Sequence, residues 1–212
     1  MRNIFNLIKQ PKSFFENLSR EKIYISPFFI IITLYLLSTF ITKNLYSDYL
    51  TDIINSSGAM QNEELDVILR NQTITSFIIN PILPLIIIFV KSYLLNGISY
   101  FDGYGELKDS INVVSFSYIV VALGNVINSL ISLINRNYNF SINPTLLFNF
   151  EQNSYFYNFL SGLTLFVIYY QILLIIGISV LYKVEKKRAA VFVIGTWITW
   201  LLLTSGIKSI NI

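Results

Sequence analysis

The 212-residue chain contains no cysteine and no histidine. The first absence excludes disulfide staples and thiol nucleophiles, and the second removes imidazole bases; together they take away the commonest transition-metal ligands. Charge is also scarce, at 13% of residues, against about a quarter in ordinary soluble domains. Any catalysis would have to run on carboxylates, amines and hydroxyls. The net charge of +3 is no nucleic-acid signal, because the basic residues sit where membrane orientation would put them.

What the chain has in excess is apolar sequence, with 54% hydrophobic residues and a mean hydropathy of +0.59. Five long stretches hold most of it, at 24–42, 74–96, 113–134, 160–182 and 189–207. Each has 19 residues or more, and at about 1.5 Å of rise per helical residue such a stretch matches a hydrocarbon layer roughly 30 Å thick. Helical amphipathicity within the stretches is weak, which argues against a water-facing helix. The expected fold is an all-α membrane protein, a five-transmembrane-helix bundle over 24–212. It is preceded by an amphipathic segment at 1–23.

The basic residues favour alternate gaps between the stretches. Ten fall before the first stretch and in the second and fourth gaps, namely Arg2, Lys9, Lys12, Arg20, Lys22, Lys108, Lys183, Lys186, Lys187 and Arg188. Only Lys43, Arg70, Arg136 and Lys208 fall on the other side. By the positive-inside rule the N-terminus is expected in the cytoplasm and the C-terminus outside, which requires an odd number of spans. The basic leader is longer than a signal peptide's, so the first span is expected to be retained.

Two connections read as more than linkers. The first outer loop carries Asp48, Asp52, Glu63, Glu64 and Asp66, and its Tyr46, Tyr49, Leu50 and Ile53 recur at helical spacing, which predicts a short helix along the outer surface. The third loop, Asn135 to Phe159, is rich in Tyr and Phe and is expected to rest on the membrane or cap the bundle. In the N-terminal segment, Ile4, Phe5, Ile8, Phe14, Phe15 and Leu18 among basic and amide residues predict an interfacial element on the anionic leaflet, broken at Pro11.

Three polar features fall inside the apolar stretches. Lys91 is the one full charge well within a span, and such residues are functional suspects because they cost several kcal/mol unless paired or hydrated. Since Asn96 ends the stretch five residues on, snorkelling of the ammonium to the headgroups is the favoured expectation, with a substrate or partner contact as the alternative. Asn80, Pro81 and Pro84 predict a kink near the outer end of the second span. Asn125, Asn128, Ser129 and Ser132 form a polar stripe at helical spacing, read first as helix packing and second as a polar pathway.

Enzyme-like patterns fail on inspection. Glu63, Glu64 and Arg70 lie in a loop without the histidines a glutamate-based intramembrane protease needs, and Gly103-Tyr104-Gly105-Glu106 has Glu where an aspartyl protease has Asp. No second intramembrane carboxylate is there to share its proton. Neither a catalytic residue nor a cofactor or metal site is expected.

The motifs that remain carry a resemblance. Pro11, Lys12, Phe14, Phe15 and Leu18 before the first span, Gly103-Tyr104-Gly105-Glu106-Leu107-Lys108 leading to Ser115–Tyr118, and Gly177 followed by Lys186–Ala190 resemble the Yip1 domain family. The resemblance covers nearly the whole chain. It implies a non-enzymatic multi-pass protein acting through other membrane proteins or on the bilayer, and the short basic leader resembles bacterial members, hence a bacterial cytoplasmic membrane. The partner-binding face is expected at the Gly103, Gly105, Glu106 and Lys108 loop. The rival expectation is a small permease or an accessory subunit of an ABC-type transporter, using Lys91, Asn80, Asn125 and Asn128 as an intramembrane polar site.

Overall fold

The computed structural model describes residues 5–18, 22–57, 62–100, 104–138, 140–148, 151 and 154–210. Every secondary-structure element among these residues is helical, with no strand. Eight α-helices follow in chain order: α1 (Phe5–Lys9), α2 (Pro11–Glu16), α3 (Ser26–Ser57), α4 (Asn62–Asn96), α5 (Leu107–Asn135), α6 (Tyr155–Ser161), α7 (Leu165–Tyr182) and α8 (Lys186–Ile210). Five of them, α3, α4, α5, α7 and α8, are long and apolar enough to cross a membrane.

The helices differ from the apolar stretches in an instructive way. α3 continues to Ser57 and α4 already begins at Asn62, so Tyr46 to Ile53 belong to α3 and form no separate surface helix. No glycine or proline occurs between Lys43 and Ser57, so nothing in the backbone chemistry stops the helix where hydropathy falls. α4 also runs unbroken through Pro81 and Pro84. Conversely, the fourth stretch is divided: α6 ends at Ser161, and α7 starts afresh at Leu165 with the Thr164 hydroxyl accepting from the Val167 N–H.

Large apolar side chains are exposed along α4 from Ile74 to Leu94, among them Ile78, Ile82, Ile86, Phe89 and Val90. Such a continuous apolar surface is tolerable only in lipid. The hydroxyls on the same helices are satisfied locally, Thr33, Thr39, Thr73, Ser92 and Ser205 each donating to the carbonyl four residues back.

The chain divides into two compact units. One comprises 1–27, 87–121 and 142–212, and the other 28–86 and 122–141. In the first, α1 and α2 are packed components of the unit. α2 packs on α7, and α7 packs on α8. Leu7, Phe14, Phe15 and Leu18 are buried, and the Tyr169 hydroxyl donates to the Ile8 carbonyl at 2.9 Å. A Cβ added at Gly177 of α7 would stand 2.6 Å from Val113 and 3.1 Å from the Phe15 ring, so the missing side chain is what lets α2 and α5 approach α7 this closely. In the second unit the Ser38 and Ser129 hydroxyls join α3 to α5 at 2.6 Å.

Candidate functional site at the Tyr182 end of the first unit

The expected loop and the expected basic turn meet at one residue that hydropathy gives no reason to single out. Tyr182 closes α7 with its ring fully buried. Its hydroxyl faces Asn96 Oδ1 at 2.8 Å and the Glu106 carbonyl at 3.0 Å, and bonds to the Ser110 hydroxyl at 2.5 Å. A phenol has one proton to donate. Two acceptors therefore share it, and Ser110 is left as the donor to the phenol oxygen. One side chain thus ties the ends of α4, α5 and α7 together.

The backbone closes the same contact. The Tyr104 N–H donates to the Tyr182 carbonyl at 3.2 Å, and a Cβ at Gly105 would fall 2.2 Å from the Tyr182 ring. Gly105 is therefore required by close approach. Gly103 lies outside the described residues. Glu106 and Lys108 pair with each other at 3.0 Å on the surface, so neither points into the protein.

α5 starts here because Asp109 caps it. The Asp109 carboxylate accepts from the Glu106 N–H at 3.0 Å, three residues back, which satisfies one of the orphan donors of the first turn. Its other oxygen, Oδ1, is buried with no partner among the described residues. One turn on, the fully buried Asn112 accepts from the Tyr24 N–H and donates to the Lys22 carbonyl, both at 2.9 Å. This amide clamps the chain that leads into α3.

Beyond Tyr182 the chain reverses within three residues. Lys183 takes a left-handed conformation, φ 57°, and the Ser179 hydroxyl donates to the Val184 carbonyl. Lys186, Lys187 and Arg188 then stand exposed on the first turn of α8. Cations at a helix N-terminus oppose the macrodipole, so helix stability does not account for them.

Lys91 departs from the snorkelling expectation. Its ammonium lies 3.4 Å from Gln171 Oε1 and 4.4 Å from the centre of the Tyr170 ring, both on α7 and both buried. The remaining intramembrane candidates do not converge. Asn80 donates to the Thr39 hydroxyl at 3.0 Å and lines a cleft of about 10 Å³ with Thr42, Lys43, Thr73 and Tyr138, room for a single water. Asn125 and Asn128 are half-buried on α5, and neither lines that cleft. Tyr138 stacks on Tyr49 and contacts Tyr46, and burial, then these neighbours, raise its hydroxyl pKa above the ordinary phenol value.

Sequence reasoning missed Tyr182, Asp109, Ser110 and Asn112. For Asp109 a signal existed, since an acid three residues after Glu106 has capping spacing. For Tyr182 there was none, because a tyrosine ending an apolar run reads as an interfacial anchor.

Among the described residues no group of three acids is placed to hold a metal ion. No curated protein and no solved structure gives a significant match. The family model described as the Yip1 domain matches residues 5–207, nearly the whole chain. Its span takes in the packed N-terminal helices, the Gly105 loop and the basic turn together, and the chain belongs to the Yip1 domain family.

Proposed function

We propose that this integral multi-pass protein is non-catalytic and acts by binding other membrane proteins through the Tyr182 end of its first unit. The family is in general one of non-catalytic membrane proteins. The observation that carries the reading is Tyr104. Its side chain is 82% exposed while its backbone is pinned to Tyr182. An exposed aromatic on an immobilised backbone is a ready binding anchor, because little ordering entropy remains to be lost on association. Glu106, Lys186 and Lys187 rim the same end with charge of both signs.

The competing use of an exposed tyrosine is as a headgroup anchor. A photo-crosslinking amino acid at Tyr104 in native membranes separates the two. It is expected to give one discrete protein adduct that persists across detergents, with Phe89, exposed on α4, as the lipid-facing control. Lipid adducts alone at position 104 would refute the reading. A permease or an ABC-type accessory subunit gains no support from the single-water cleft at Asn80.

The proposal places the Tyr182 end in the cytoplasm, following the distribution of basic residues. Single-cysteine variants Ser57→Cys and Glu185→Cys, in a chain with no other cysteine, are expected to react with an impermeant maleimide from opposite sides of the membrane. Labelling of both from one side would invert or break the topology.

A further inference from the structure

Lys91 sits at the border of the buried face of α4, with Ile88 and Leu95 buried on one side and Val90 and Leu94 exposed on the other. Side chains on a helix lean toward its N-terminus. Here that leads the amine away from the Asn96 end of α4 and onto Gln171 and Tyr170. Gln171 lies 11 residues before Tyr182 on α7, so the amine is held roughly 16 Å from that end, near the middle of a hydrocarbon layer about 30 Å thick.

At that depth its protein environment is incomplete. An ammonium carries three donors. Here they meet one amide oxygen at 3.4 Å and one ring face, with no carboxylate within 4.0 Å among the described residues. The Tyr170 hydroxyl beside it is also buried without a hydrogen-bond partner. Charge this deep in lipid is costly unless it is paired. A phosphate headgroup belongs at the surface, some 16 Å away by the same count. A second copy in the same orientation brings no acid to this depth either. Asp48 and Asp52 lie in the last turns of α3, and Asp109 is buried at the first turn of α5. α4, α7 and α8 carry no acid along their apolar lengths.

We infer that Lys91 is an intramembrane docking point for a transmembrane helix of a different protein that carries Asp or Glu near mid-span. The inference deepens the binding role proposed above and rests on it, but it concerns the border of the buried face of α4 at Lys91, a different surface from the Tyr182 end. In the pair, the carboxylate would complete the donors that Gln171 leaves open, and Tyr170 would cover the ammonium from the other side.

The test uses the full chain in phosphatidylcholine vesicles and dye-labelled polyleucine transmembrane peptides with a single central Asp, Asn or Leu. Energy transfer is expected to show the Asp peptide binding at least tenfold more tightly than the Leu peptide, with Asn between them. Lys91→Arg should keep the preference, and Lys91→Met should abolish it while leaving the Leu peptide unchanged. Equal binding of Asp and Leu peptides, or an Asp preference that survives Lys91→Met, would overturn the inference. So would loss of the preference when phosphatidylglycerol is added, since that would assign the ammonium to anionic lipid. None of these results moves the Tyr104 crosslink, so failure here and failure of the end-face reading are separable.

Discussion

Phe15→Ala should detach the N-terminal helices from the first unit and lower its stability by about 3–5 kcal/mol, the range for truncating a fully buried phenylalanine. Phe15 has no exposed surface, meets Phe14 edge-on at 5.5 Å between ring centres, and lies against the Cβ-less face of Gly177. Its loss leaves a cavity where α2 meets α7. Hydrogen exchange over residues 5–16 should rise by more than a hundredfold, and the denaturation midpoint in mixed micelles should fall. Phe5→Ala is the control, because Phe5 is 68% exposed and belongs to the same short segment. It should change stability by less than about 0.5 kcal/mol. Equal effects from the two variants would mean that the segment is a surface attachment after all.

The second large effect is a coupling. Tyr182→Ala removes a ring with no exposed surface together with the hydroxyl that joins Asn96, Glu106 and Ser110, and should cost about 3–5 kcal/mol. Gly105→Ala in the native background should cost about 1–3 kcal/mol, because the new methyl would stand 2.2 Å from a ring that is packed on every side. In the Tyr182→Ala background the same methyl meets empty space, and Gly105→Ala should be close to neutral. A double-mutant cycle on unfolding in mixed micelles reads the difference directly as an interaction energy of about 1–3 kcal/mol. Additive effects would show that Gly105 is needed for some reason other than the ring.

The two experiments bear on function through preorganisation. If the ring of Tyr182 holds the 104–108 loop, Gly105→Ala should also weaken the crosslink from position 104 while leaving the membrane-spanning helices in place. The Lys91 surface should be unaffected, since it depends on α4 and the middle of α7.

Much of the fold was legible because it depends on local sums. A run of about 20 apolar residues determines that a segment enters lipid, whatever its neighbours are. Pro11 also divided α1 from α2 as expected, since its fixed φ and missing N–H suit the first turn of a new helix. Helix ends were less legible, and for the same reason. Hydropathy reports where lipid ends, whereas α3 stops only beyond Ile54, well past the last apolar residue of its stretch. Backbone hydrogen bonding continues until glycine, proline or a cap interrupts it.

By itself the sequence determined that this is a helical membrane protein with five spans, and its short motifs carried the resemblance to the Yip1 domain family. The spans follow from residue chemistry read within windows of about twenty residues. Only the tertiary structure decided that Phe15 is core, that Tyr182 gathers three helix ends, and that Lys91 turns inward onto Gln171 and Tyr170. Those contacts join residues dozens to more than a hundred positions apart, and at such separations the partner is chosen by packing geometry, which composition and periodicity do not encode. The confinement of charge to the gaps says where the chain resides.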